Sequence, residues 1–215
     1  MPGARLTLFH TAGSNVAVFD ALLQPITPPV PYTHVVDEEI LREAKAAGRI
    51  TPQLEARVDR AFSDALGESA LVLCTCSTIG ALAERGRPHV LRVDRPMAEW
   101  AVRLGTRIAV AATLPSTFAP TSDLIAAVAA QAERRIEIVR WHLAAAWPFM
   151  ERGDEAGYAA EIARDVAAQL RADRVDVVVL AQASMAGAEP LTAGLGVPVL
   201  SSPRLGLAEA LRRLR

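Results

Sequence analysis

Lysine is nearly missing from this chain: Lys45 stands alone against 22 arginines among 215 residues. The arginines are scattered over helical faces, the formal net charge is −1, and neither half carries a long run of one sign. That distribution supplies no basic stripe for nucleic acid or an anionic membrane surface, so neither is expected as a partner. Cysteine is scarce too. Cys74 and Cys76 are the only two, which is too few for a disulfide framework. Their i,i+2 spacing puts both on one face of an extended strand, poorly disposed to bond each other. The expectation is a reduced, cytoplasmic protein. No apolar run reaches the ~18 residues needed to span a bilayer. The amino terminus lacks a basic region followed by an apolar stretch, so no signal peptide is read there. Glycine-rich phosphate loops are missing as well, since Ala12-Gly13-Ser14 and Ser77-Thr78-Ile79-Gly80 fit neither the P-loop nor the dinucleotide template. No His/Cys/Asp cluster has metal-ligand spacing, so no metal is expected, and no serine nucleophile elbow appears.

What the chain does have is an echo. Leu71-Val72-Leu73-Cys74-Thr75-Cys76-Ser77-Thr78 is matched by Val177-Val178-Val179-Leu180-Ala181-Gln182-Ala183-Ser184, with Cys76 and Gln182 standing 106 residues apart. Arg5–Phe9 before His10-Thr11-Ala12 matches Arg107–Ala111 before Ala112-Thr113-Leu114, an offset of 102. Val90-Leu91 and Val199-Leu200 match at 109, and each pair leads to an arginine (Arg95, Arg204) that opens a helical pattern. Three matches in one order at a nearly constant offset argue for two copies of one α/β unit.

Short apolar strands alternate with helical patterns, which means βαβ units and parallel sheets. Strands are expected near 6–9, 34–36, 70–76 and 89–93, and again near 107–111, 136–140, 175–181 and 197–200. Helices are expected near 16–23, 38–47, 52–66, 95–104, 116–133, 142–151, 154–172 and 204–214. Thr51 followed by Pro52 reads as an N-cap with proline at the first helical position, and Gly48 as a helix stop. The fold class is therefore α/β: two similar Rossmann/flavodoxin-like lobes related by a pseudo-twofold repeat, with an active cleft between them. Residues 1–95 make the first lobe and 96–202 the second, and the helix in 203–215 could pack on either.

In open parallel sheets, ligands bind beyond the carboxyl ends of the strands. That places His10–Asn15, Cys76–Gly80, Thr113–Thr117 and Gln182–Met185 at the site. Their content is small residues, hydroxyls, the amides of Asn15 and Gln182, and one thiol. Helix starts close behind these loops favour an anion, most simply a carboxylate. A thiol at a strand tip beside a helix start has its pKa lowered and becomes reactive, which is the role read for Cys76 over that of a small buried hydrophobe. Cys74 lies within the apolar run and is read as core. His10, at the tip of the first strand, is either an acid/base or a histidine that holds the loop by hydrogen bonds. His34, His89 and His142 are read as structural, and Trp100, Trp141 and Trp147 as core or interface.

Cys76-Ser77-Thr78 after an apolar strand resembles the Cys-Asn-Thr motif of the aspartate/glutamate racemase superfamily. Ala112-Thr113-Leu114-Pro115-Ser116-Thr117 resembles its Ala-Thr-x-x-Thr element, and Leu180-Ala181-Gln182-Ala183-Ser184-Met185 is similar to the Leu-Gly-Cys-Ala-Gly-Met of hydantoin racemases. The resemblance runs from about residue 5 to 205. It implies two lobes, no cofactor, a small carboxylic-acid substrate, and proton transfer at the carbon α to the carboxylate by one cysteine from each lobe. Relatives include arylmalonate decarboxylases, which use a single cysteine, and maleate isomerases. Carried over, Cys76 matches the first catalytic cysteine. Ser77, Thr78, Thr113, Ser116 and Thr117 match the groups that hold the carboxylate, and Asn15 falls where members place a polar residue. The departure is Gln182, which stands where racemases have their second cysteine and cannot carry a proton at neutral pH. Ser184 is near but has no base beside it in sequence. A lone thiol favours a decarboxylase-, isomerase- or lyase-type outcome over a two-base racemase. The alternatives are an amino-acid or hydantoin racemase with another second base, and a carboxylate-binding protein without turnover. Nothing in the sequence excludes a homo-oligomer.

Overall fold

The computed structural model describes residues 5–215. The chain divides into two compact units, one taking the chain through Asp94 together with Pro203–Arg215, the other Arg95–Ser202. The first unit contains β1 (Leu6–His10), α1 (Asn15–Leu23), β2 (Tyr32–Val36), α2 (Glu38–Ala47), α3 (Pro52–Glu68), β3 (Leu71–Cys74), α4 (Gly80–Ala83) and β4 (Val90–Arg92). The second contains α5 (Arg95–Leu104), β5 (Arg107–Ala112), α6 (Phe118–Gln131), β6 (Glu137–His142), α7 (Trp147–Glu151), α8 (Glu155–Ala172), β7 (Val177–Leu180) and β8 (Val199–Ser201). Helix α9 (Ser202–Arg213) follows.

Each unit builds a four-stranded, all-parallel sheet, and the two strand orders are the same: β2-β1-β3-β4 and β6-β5-β7-β8. The predicted α/β class and its two similar halves are what the structure has. Because both faces of a parallel sheet are covered, the central strands are largely apolar, and alternate residues serve opposite faces. In the first unit Leu6, Leu8, Leu71 and Leu73 join Phe19, Leu207 and Ala210, beneath α1 and α9. The alternating Phe9, Val72 and Cys74 join Ile40, Val58 and Phe62, beneath α2 and α3. Helix α9 approaches β4 so closely that a Cβ on Gly206 would lie 2.4 Å from the Val93 carbonyl oxygen, so only glycine fits there. In the second unit Ala109, Ala111, Val178 and Leu180 pack with Tyr158, Ile162 and Val166 of α8, while α5 and α6 cover the other face.

Local signals explain the boundaries. Thr51 Oγ1 accepts a hydrogen bond from Leu54 N–H at 3.2 Å and Pro52 opens α3, while Gly48 ends α2 at φ +65°. Two expectations need correction. The stretch 142–151 is not one helix. Strand β6 runs on to His142, because Ala111 and Ala112 of β5 continue the ladder opposite Trp141 and His142. A 3₁₀ turn at Ala144–Ala146 then intervenes, and α7 starts where Pro148 is tolerated near its N-terminus. Trp100, expected in the core or at an interface, stands 46 % exposed on α5 with Arg103 over its ring. Trp141 is buried and Trp147 Nε1–H donates to Glu151 at 2.9 Å. No helix among the described residues is long and apolar enough to cross a membrane.

Candidate active site

Each unit carries the same main-chain frame at the carboxyl ends of its central strands. Thr75 N–H donates to Phe9 O at 2.9 Å in the first, and Ala181 N–H donates to Ala111 O at 2.9 Å in the second. Asp37 N–H closes on His10 O in the first, and Leu143 N–H on Ala112 O in the second, again at 2.9 Å each. These bonds equate Thr75 with Ala181, and therefore Cys76 with Gln182. Beyond each tip the chain enters a 3₁₀ turn, Ser77–Ile79 in one case and Ala183–Ala188 in the other. The same happens after β5, at Pro115–Thr117.

Of the two thiols, Cys74 is wholly buried among Phe9, Val58 and Phe62, its Sγ 3.7 Å from the Cys76 carbonyl oxygen. Burial, reinforced by the neighbouring Cys76, pushes the Cys74 thiol far above its ordinary range, so it stays protonated and inert. Cys76 lies past the end of the strand and retains 9 % exposure. The half-buried Ser77 and Thr78 follow it on the turn. Behind that turn, the Arg92 guanidinium leaves no room at Gly80 for a side chain, since a Cβ there would lie 2.9 Å away. Arg92 is itself buried, with Nε and Nη2 donating to the Asp94 carboxylate at 2.7 and 3.0 Å and Nη1 standing 3.6 Å from a Glu84 carboxylate oxygen. The turn that holds Cys76 thus rests on a neutralised, rigid ion pair.

The polar residues around Thr75 form a second layer. His10 is fully buried, its Nδ1 2.8 Å from Thr75 Oγ1 and its Nε2 2.8 Å from His34 Nδ1. Burial, and after it His34, lowers the His10 pKa from 6.5 to about 4, with Asp20 pulling the other way. Both ring nitrogens are therefore engaged within the protein, in the manner of a histidine that holds the loop. Asn15 is also buried, at the first position of α1, and its Nδ2–H donates to Thr75 Oγ1 at 3.4 Å. Sequence reasoning placed Asn15 and His10 near one another but missed Thr75, where both converge.

In the second unit Gln182 Oε1 accepts from Thr113 N–H at 2.8 Å, from Thr113 Oγ1–H at 2.9 Å and from Leu114 N–H at 3.3 Å. Those donors dictate that the oxygen faces Thr113, so the amide N–H₂ is what remains to act elsewhere. Thr113 Oγ1 also stands 3.0 Å from Tyr158 Oη, which lies 3.5 Å from Ser184 Oγ. Since the Thr113 hydroxyl proton goes to Gln182, Tyr158 donates to Thr113 and the chain has a direction. Burial raises the pKa of Tyr158, so it stays a donor. Tyr158 was not singled out from sequence. Its one signal is a phenol on the buried side of the otherwise alanine-rich pattern of α8. Ser116 is exposed and Thr117 half-buried on their 3₁₀ turn, and neither joins this chain. The first tip thus ends in a thiol, and the second in an amide whose oxygen is committed to Thr113. Among the described residues no group of three His, Cys, Asp or Glu side chains could hold a metal ion.

No curated protein matches the chain in sequence. Solved structures share its fold. An aspartate racemase of Picrophilus torridus is 13 % identical with a TM-score of 0.68, over 99 % of this chain and 94 % of that one. An allantoin racemase from Klebsiella pneumoniae is 15 % identical with a TM-score of 0.64, over 97 % and 86 %. The glutamate racemase of Francisella tularensis, solved with D-glutamate, is 14 % identical with a TM-score of 0.69, over 100 % and 82 %. The family model of the Asp/Glu/hydantoin racemases matches residues 15–210, and the chain belongs to that family of isomerase-type enzymes.

Proposed function

We propose that this chain is a cofactor-independent enzyme acting at the carbon α to a carboxylate with one working thiol, Cys76. The observation that carries the reading is the shared main-chain frame of the two strand tips, in which Cys76 and Gln182 hold equivalent places. A racemase of the two-thiol kind needs a proton carrier at both. Gln182 is an amide whose oxygen is committed to Thr113, and amides neither take nor give protons at neutral pH. The outcome that fits is therefore proton transfer on one face. In a decarboxylation, the carbon–carbon bond to the departing CO₂ breaks and its electron pair remains as an enediolate. The Cys76 S–H then gives its proton to the α carbon, and water reprotonates the thiolate. Ser77, Thr78, Ser116 and Thr117 are the hydroxyls proposed to hold the carboxylate, while Thr113, whose hydroxyl proton goes to Gln182, orients that amide so that its N–H₂ is the donor proposed to contact the substrate, with Ser184 beside it. None of these residues is charged, so an aromatic or aliphatic acid suits them better than a dicarboxylic amino acid.

The test is a panel of malonates, maleate, hydantoins and amino acids incubated in D₂O with wild type, Cys76→Ala and Gln182→Cys. One-faced deuterium incorporation or CO₂ release that Cys76→Ala abolishes, with racemisation gained in Gln182→Cys, is the expected pattern. Racemisation of aspartate, glutamate or a hydantoin by the wild type would show that another group serves as second base. Binding of acids with no exchange at all would leave a carboxylate-binding protein.

A further inference from the structure

We infer that His10, His34 and Asp20 are positioning residues that couple the protonation of half-buried His34 to the direction of the Thr75 hydroxyl, immediately before Cys76. The inference rests on the reading of Cys76 as the working thiol only for its consequence there. The coupling itself follows from hydrogen-bond bookkeeping.

The chain runs Tyr32–Asp20–His34–His10–Thr75. Tyr32 Oη–H donates to Asp20 Oδ1 at 2.7 Å, and His34 Nε2 stands 3.1 Å from the same oxygen. His34 Nδ1 is 2.8 Å from His10 Nε2, and His10 Nδ1 is 2.8 Å from Thr75 Oγ1. The two imidazoles meet edge to edge, with centroids 5.1 Å apart and ring planes within 22° of each other, as a hydrogen bond between ring nitrogens requires. A carboxylate only accepts, and hydrogen bonds from Tyr32 and then from His34 hold Asp20 below the usual carboxylate range. His34 Nε2 therefore carries a proton whatever happens further in. With no other proton on the pair, His34 Nδ1 is bare and accepts from His10 Nε2–H. His10 Nδ1 is then bare and accepts the Thr75 hydroxyl.

One added proton reverses the inner half. A protonated His34 donates from both nitrogens, so His10 must present a bare Nε2 and carry its own proton on Nδ1. That N–H now donates to Thr75 Oγ1, and the hydroxyl proton must leave for another acceptor. The acceptor is in place: Thr75 Oγ1 lies 3.2 Å from the Phe9 carbonyl oxygen, which already accepts Thr75 N–H. Asn15 Nδ2–H donates to Thr75 Oγ1 in either state. The two states differ by one proton, taken from water at His34, and by the tautomer of His10. Burial prevents His10 from taking a second proton near neutrality. The other charges nearby are committed elsewhere, Asp37 to Arg57 at 2.9 Å and Glu38 to Gly13 N–H at 2.8 Å.

The test reads the rings directly and needs no substrate. Protein labelled with ¹⁵N in its histidine rings is followed by long-range ¹H–¹⁵N spectra from pH 5 to 9. His10 should pass from the Nε2–H to the Nδ1–H tautomer over the pH range in which His34 gains its proton, and His34→Gln should abolish the passage. A single His10 tautomer throughout, or the same passage in His34→Gln, overturns the coupling. A second arm measures carbamidomethylation of Cys76 against pH. Wild type should show an inflection beyond thiol ionisation, lost in His34→Gln and in Thr75→Val. Profiles of one shape in all three proteins overturn the link to Cys76. His34 is half-buried on the edge strand β2, so its variant retains the core, which His10 variants need not.

Discussion

At the end of β3 a thiol follows a hydroxyl-bearing residue, whereas at the same place on β7 an amide follows an alanine, although Thr75 and Ala181 donate the same main-chain bond to Phe9 and Ala111. The supports differ in origin. The first unit braces its tip from α1 and β2, through Asn15, His10 and His34. The second braces its tip from α8, through Tyr158, Thr113 and Gln182. A titratable chain thus lies behind the thiol, and a chain of neutral donors behind the amide. The lesson is that a repeat preserves hydrogen bonds between backbones far better than it preserves the chemistry hung on them, because only the former are needed to close the sheet.

The comparison breaks most sharply at the thiol. Cys76→Ala should lower turnover by more than about 10²-fold, the usual worth of a positioned proton-transfer group, while Cys74→Ala stays within a few-fold. Solvent-deuterium exchange on the best acid of the panel measures both, and equal losses would deny the thiols their different roles.

The next effect belongs to the first tip alone and is a pH dependence. The unfolded imidazole of His10 takes its proton near 6.5, the folded one only near 4. Stability is therefore lost as pH falls from about 6.5 to about 4 and is level below that, a difference of about 3 kcal/mol. Urea unfolding at pH 7 and pH 4.5 should show a loss in wild type that His10→Gln lacks. Loss of equal size in both would place the titrating group elsewhere.

The second tip should respond to the removal of an acceptor instead. Gln182→Leu leaves the Thr113 N–H without its partner and should cost about 2 kcal/mol, whereas Gln182→Glu keeps an acceptor and should cost less. Chemical denaturation at neutral pH ranks the two, and the opposite ranking would mean that the oxygen does not face Thr113. The smallest change is Tyr158→Phe, which removes the hydrogen bond to Thr113 but not the ring, for about 1 kcal/mol. A neutral result would show that Tyr158 contributes packing only.

Much of the fold was legible because parallel strands are apolar on both faces and the two halves repeat in order. The apolar runs ending at Cys74 and Leu180, with small polar residues after them, located both tips to within two residues. Strand β6 was legible only in part, since the edge strand Glu137–His142 mixes charged and apolar residues and its last pairs are dictated by β5.

Sequence by itself determined the α/β class, the repeat, the thiol at one tip and its replacement by Gln182 at the other, since these depend on residue type and on spacing along the chain. Tertiary structure decided which partners those residues keep. His10 could be a free base or a buried brace until β2 and β3 placed His34 and Thr75 on its two nitrogens. Gln182 could present oxygen or nitrogen until β5 brought the Thr113 N–H against it. Thr75 and Tyr158 stood out from neither composition nor motif, because a hydrogen bond between residues 45 or 65 positions apart leaves no mark on the local pattern from which helices and strands are read.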